Sequence, residues 1–282
     1  MKKTLLLLCL LINFSCWANN RFANVNIEPH WVSGGVHVLY GSGGNIGALT
    51  GPDGILIIDD QFEPLAPKIE KSLAGLRQDD VDKVKYVVNT HYHGDHTGSN
   101  VYFSKSASIL AHENVRARLV KKPMEKGLPV ITYQQGIKMF LNDETVHVKH
   151  LAAGHTDGDS VVYFEKANVW HLGDLFFEAR FPYIDLKAGG TFVGYRDNIT
   201  SLLSMIDDNA KIIPGHGKLT DKKGLESVLF MLESTFSLVK QLKDADLSEQ
   251  QVIDKGLGEQ WQAWSWRFIT EERWIKTLYT SI

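Results

Sequence analysis

An α/β fold is what this chain predicts. Short β-branched apolar runs alternate with stretches of helical period, glycine and aspartate bound the runs, and His or Asp blocks recur just past their carboxyl ends. Val36 to Leu39 and Ile55 to Ile58 read as buried strands, the second leading into Asp59 and Asp60. After Pro64, Leu65, Ile69, Leu73 and Leu76 recur at helical spacing and return the chain to the next strand, Val84 to Val88. That strand runs out towards His91. The pattern then repeats: Thr145 to Leu151 precedes His155, Val169 to Leu172 precedes Asp174, and Lys211 to Pro214 precedes His216. In open α/β sheets ligands gather outside the carboxyl ends of strands, so four such blocks are expected on one edge of a layered core. Two later helices are expected to cover the sheets, one with Ile199, Leu202, Leu203 and Ile206 on its apolar face, the other with Val228, Leu232, Phe236, Val239 and Leu242.

At 282 residues, 44% hydrophobic and 22% charged, the chain has the make-up of a globular protein with a large core, and no low-complexity stretch, charge block or repeat marks a linker. Its start, Lys2 and Lys3 followed by the apolar stretch Leu5 to Phe14 and then Cys16, Trp17 and Ala18, reads as a secretory signal over residues 1–18. Cleavage after Ala18 leaves one domain over residues 19–282 in a periplasmic or secreted setting. The apolar run is short for an uncleaved anchor, so no stable membrane insertion is expected after cleavage. Both cysteines, Cys9 and Cys16, lie in the leader, so the exported protein has no disulfide and no thiolate ligand. Loss of Lys2 and Lys3 moves the formal charge from −3 to −5, which argues against nucleic acid as a partner and favours a small-molecule substrate.

The densest chemistry lies in His91, Tyr92, His93, Gly94, Asp95 and His96, where three imidazoles and a carboxylate share six residues. Gly154-His155, Gly173-Asp174 and Gly215-His216 each add one ligand-type residue beside a glycine, which lets backbone approach a crowded centre. Imidazole nitrogen and carboxylate oxygen suit borderline divalent ions, zinc above all, whereas calcium and magnesium prefer oxygen shells. Seven non-thiolate donors exceed the needs of one tetrahedral ion and suit two adjacent ions with open positions, which is the arrangement of a catalytic centre.

The run Thr90-His91-Tyr92-His93-Gly94-Asp95-His96-Thr97-Gly98, with Ile58-Asp59, His155, Asp174 and Pro214-Gly215-His216-Gly217, resembles the metallo-β-lactamase superfamily over about residues 33 to 217. The resemblance implies a four-layer αβ/βα sandwich: two mixed sheets face to face, helices outside, metals in a groove at one edge. It implies that His91, His93 and His155 hold one zinc, that Asp95, His96 and His216 hold a second, and that Asp174 bridges them. An aspartate at 174 resembles the broad hydrolase branch, with its glyoxalase-type thioesterases, lactonases and phosphodiesterases, more than the members that destroy β-lactams.

The reaction expected of such a centre is hydrolysis of a lactam, lactone, ester or thioester by solvent ionised between the two Zn2+ ions, with Asp95 orienting it and relaying its proton. Two zinc ions, two aspartates and a hydroxide leave about one positive charge, which favours anionic substrates. The alternatives are β-lactamase activity proper, phosphodiester cleavage and, less favoured, an iron-dependent oxidative enzyme on the same fold. A Ser160, His155 and Asp157 triad lacks a nucleophile-elbow sequence. Asp59 is expected to hydrogen-bond the metal loop and His171 to be a sheet histidine; His30, His37, His112, His147 and His150 are read as structural. Phe176 to Ile184, with Arg180 and Tyr183, is a candidate groove lining, while Trp261, Trp264, Trp266 and Trp274 read as core packing rather than an aromatic wall.

Overall fold

Strand β4 (Ile55–Ile58) shows how the layers arise. All four of its residues are buried, yet they serve two cores: Leu56 and Ile58 face the second sheet, while Ile55 and Ile57 meet helix α1 (Ala66–Ala74) through Ile69 and Leu73. A strand covered on both faces needs an unbroken apolar run rather than an alternating one, which is what Ile-Leu-Ile-Ile supplies. The computed structural model describes residues 21–76, 83–122 and 126–282; the leader read over residues 1–18 lies outside them.

Seven strands form the first sheet in chain order: β1 (Glu28–Ser33), β2 (Val36–Tyr40), β3 (Ile46–Leu49), β4, β5 (Val84–Asn89), β6 (Ser108–His112) and β7 (Ile131–Tyr133). Pairing is antiparallel from β1 to β4 and parallel from β4 to β7. The second sheet has the order β12-β11-β10-β9-β8, from β8 (Gly136–Leu141), β9 (Glu144–His150), β10 (Ser160–Phe164), β11 (Val169–His171) and β12 (Lys211–Ile213). Only β11 and β12 run parallel there.

Val38, Leu56, Ile58, Val88, Val146, Val162 and Phe164 pack between the sheets. Outside the first sheet lie α1 and the short helices α2 (Gly94–Thr97), α3 (Asn100–Phe103) and α4 (Glu113–Leu119). Outside the second lie α5 (Phe192–Met205), α6 (Lys222–Asp244), α7 (Glu249–Lys255) and α8 (Glu271–Ser281), packed through Tyr195, Ile199, Leu202, Val228, Leu232 and Trp274 against Val161 and Trp170. The result is the four-layer αβ/βα sandwich. Two expectations shift in detail. The helix after Pro64 opens as a 3-10 turn over Glu63–Leu65 and α1 ends at Ala74, so Leu76 lies beyond it; Ile206 is buried but sits just past α5. No helix among the described residues is long and apolar enough to cross a membrane.

Parallel pairing of β4 with β5, and of β11 with β12, fixes the site. Asp59 follows β4, the histidine run follows β5, Asp174 follows β11 and His216 follows β12, so all emerge at carboxyl ends of strands on one edge of the sandwich.

Candidate metal centre

All seven expected side chains meet at that edge. They fall into two sets, His91 with His93, His155 and Asp174, and Asp95 with His96 and His216, each with potential ligand atoms within 4.8 Å of one another. His93 caps α2, which carries Asp95 and His96; His155 comes from the β9–β10 loop; Asp174 sits in the 3-10 turn Gly173–Leu175. The glycines are steric necessities at two places. A Cβ on Gly215 would lie 2.2 Å from Asp174 Oδ1, and one on Gly44 would lie 2.1 Å from the His96 ring.

The outer hydrogen bonds decide which ring nitrogens face inward. His155 Nδ1 lies 2.6 Å from the Tyr183 carbonyl, which can only accept, so Nδ1 carries the proton. Thr90 Oγ1 donates to Asp59 Oδ2 at 2.8 Å and therefore accepts from His91 Nδ1 at 3.1 Å. His93 Nε2 donates to Asp185 Oδ2 at 3.0 Å, the same oxygen that takes the Tyr92 hydroxyl proton at 2.7 Å. In the neutral rings, His91 Nε2, His93 Nδ1 and His155 Nε2 then present lone pairs to one another, with His93 Nδ1 3.0 Å from the first and 2.9 Å from the last. A proton on His93 Nδ1 could satisfy only one of them. Burial pushes His91 well below the usual imidazole range and, despite Asp174, takes His155 down to about 4, so protons do not resolve the convergence. A divalent cation does, and this donor set fits one.

The second set is tuned the other way. Burial disfavours charge on His96 and His216, but Asp174, Asp59 and Asp95 overcome it at His96, raising it well above the usual range, and Asp174 with Asp95 lifts His216 to about 9. Burial is likewise outweighed at Asp95, brought to about 2 chiefly by His96, and at Asp174, held well below the carboxylate range by His96, His216 and His91. Asp174 faces both sets. Its Oδ2 lies 3.5 Å from His155 Nε2 and 3.7 Å from His91 Nε2, its Oδ1 3.1 Å from His96 Nε2 and 3.4 Å from His216 Nε2. Oδ1 is buried between the two ring nitrogens without a well-formed hydrogen bond among the described residues, the position a ligand atom would take.

Asp59 takes the supporting position expected of it, accepting from Thr90 N, Thr90 Oγ1 and His96 Nδ1 at 2.7, 2.8 and 2.7 Å. His171 lies 3.1 Å from the Asn45 carbonyl in the sheet. Ser160 is buried on β10 and receives the Tyr133 hydroxyl, and Asp157 pairs with Arg118, so no triad forms. His112 and His150 stack on each other at 3.7 Å, apart from the centre. One reading needs correction: Trp261 and Trp274 pack in the core, but Trp266 lines the groove, because its ring sits 5.9 Å from that of His216. Sequence reasoning also missed Asp185, which no motif marks, and Asn45, whose Nδ2 ties β3 to the Pro214 and Gly217 carbonyls beside His216. The groove encloses about 1050 Å³ and is lined by Gly43, Phe62, Tyr92, Phe177, Tyr183 and Trp266.

The sequence profile of the Metallo-beta-lactamase superfamily matches residues 39–216, and the chain belongs to that superfamily. Its members are mostly hydrolases with a metal site, and the His/Asp cluster is this chain's candidate. The Caenorhabditis elegans protein described as Beta-lactamase-like protein 2 homolog is 27% identical over 204 residues, 69% of this chain; the chain spans 63% of that relative's length. Two solved structures share the fold. A metallo-beta-lactamase from Pontibacter korlensis has a TM-score of 0.63 at 19% identity, covering 74% of this chain and 99% of its own. The metallo-beta-lactamase IND-7 has a TM-score of 0.64 at 22% identity, covering 75% and 99%.

Proposed function

We propose that the protein is an exported dinuclear zinc hydrolase that cleaves a carbonyl-type bond, in a lactam, lactone, ester or thioester, of a small anionic substrate. The observation that carries this reading is the convergence of three imidazole lone pairs on one point, with Asp174 reaching from it to the second set. His91, His93 and His155 would hold one ion, Asp95, His96 and His216 the other, and Asp174 both. Neutral imidazole and carboxylate without thiolate favour zinc. Divalent cations bound there supply Lewis acidity towards a substrate oxygen and lower the pKa of solvent towards about 7.

The chain's own residues do the rest. Asp95, part-exposed at the groove and ionised at neutral pH, would orient solvent and pass a proton on at Oδ2. Phe177 stacks on His216 at 5.1 Å and shields that ring from water. Export is supported by Lys2 and Lys3, the apolar stretch to Phe14, and the confinement of both cysteines to the leader. Two measurements test the reading. Protein purified without chelator should contain two zinc ions per chain and hydrolyse members of a panel of lactams, lactones, esters and thioesters; turnover of phosphodiesters alone, or iron as the bound metal, would refute it. The mature protein should begin at Asn19, whereas a chain retaining Met1 would contradict export.

A further inference from the structure

The segment Glu259–Trp264 and the residues after it lie beyond the matched region of residues 39–216, yet they return to the groove. Phe181 N donates to the Trp264 carbonyl at 2.9 Å, Trp266 Nε1 donates to the Phe181 carbonyl at 2.9 Å, and Trp266 N donates to the Ile269 carbonyl at 3.0 Å. These bonds fix the indole as a wall beside the centre. Phe268 continues it, edge-on to Tyr183 at 5.3 Å, and is 46% exposed. Two cations stand on the same wall. The Arg180 guanidinium lies 5.4 Å over the Trp266 ring, and Arg267 lines the cavity next to it. Among the described residues neither is ion-paired with a carboxylate, although Arg118, Arg196 and four lysines are.

We infer that this wall is a substrate subsite, in which Trp266 and Phe268 receive a flat aromatic or otherwise apolar body and Arg180 with Arg267 receive an acidic group on it. The inference rests on the hydrolase reading above, and it narrows the substrate to amphipathic acids. Arginine is suited to the task because its planar fork binds carboxylate in a bidentate way and stacks on an aromatic face at the same time. The wall is preformed, so little side-chain entropy is lost on binding.

The test uses metal-loaded protein and a matched pair of probes, naphthalene-2-carboxylate and the uncharged, non-hydrolysable ketone 2-acetylnaphthalene, with binding followed by quenching of tryptophan fluorescence and by calorimetry. R180Q and R267Q should each weaken the acid about tenfold and leave the ketone within twofold, and F268A should weaken both probes. R196Q, on the exposed face of α5, should change neither. Naphthoate binding that survives the R180Q/R267Q double variant overturns the inference, and so does an equal loss in R196Q, which would reduce the effect to net charge. Melting temperature and metal content are measured on each variant. A parent protein without two metal ions would sink the hydrolase reading while leaving arginine-dependent naphthoate binding intact, so the two failures are distinguishable.

Discussion

The two halves of the metal centre use the same side-chain types a few ångströms apart and are tuned in opposite directions. Around His91, His93 and His155 the outer partners are a threonine hydroxyl, Asp185 and a backbone carbonyl, and burial dominates at His91 and His155, so those rings are neutral with their lone pairs turned inward. Around His96 and His216 three carboxylates outweigh burial, and the imidazoles hold protons. The difference teaches that ligand identity alone does not set how a site competes for a cation. The first set is ready to coordinate; the second must first release what it holds.

Asp174 is the one residue common to both halves, so its loss should break the comparison most completely. D174A is expected to lower turnover at least a hundredfold and to leave less than one tightly held ion per chain beyond that of the three-histidine set, read by steady-state kinetics and metal analysis. A D174A protein with full activity and full metal would remove the shared-carboxylate arrangement.

Proton release separates the halves next. His216 is lifted from an ordinary value near 6.5 to about 9, so below pH 9 a cation entering the second set must displace a proton there, whereas His155 at about 4 costs nothing above pH 5. Affinity of the second ion should therefore fall tenfold or more for each unit of acidification below 9, because His96 gives up a proton as well, while His91 and His155 impose no such cost down to about pH 5. Calorimetry in buffers of differing ionisation enthalpy reads the protons directly, and equal release for both ions would contradict the assignment. The sign for stability follows as well. Chelated protein should keep the contribution of protonated His216 below about pH 6.5 and lose it as pH rises through 9, which a fall in Tm over that window would register.

Much of this was legible in the sequence, for physical reasons that also explain the rest. Ile55 to Ile58 announces a buried strand because so short and continuous an apolar run has few other uses, Val84 to Val88 does so through its three valines despite the exposed Lys85, and the histidine run is dense enough to stand out on its own. Asp185 carries no such signal. It lies in an irregular stretch and reaches His93 only because its backbone N donates to the His155 carbonyl at 2.9 Å, a contact that tertiary structure creates. Trp266 misled for a related reason: it shares its composition with Trp261 and Trp274, and only the bond from its indole to Phe181 turns it towards the groove.

The outer partner of His93 gives the smaller and finer tests. D185N keeps an acceptor but loses the charge that holds the Nε2 proton, and it should weaken the three-histidine set by about ten- to a hundredfold while leaving the second ion nearly unaffected. Y92F is milder still. It removes one of two donors to Asp185 Oδ2, whose carboxyl the His93 bond, against burial and helped by the Tyr92 hydroxyl, holds well below its ordinary range. The remaining Ala188 N and His93 bonds keep Asp185 in place, so the expected loss is about 1 kcal/mol, or a few-fold in affinity for the first ion. If Y92F instead cost as much as D185N, the tyrosine rather than the aspartate would be setting the orientation of His93, and the inward turn of its Nδ1 would depend on a chain of two residues instead of one.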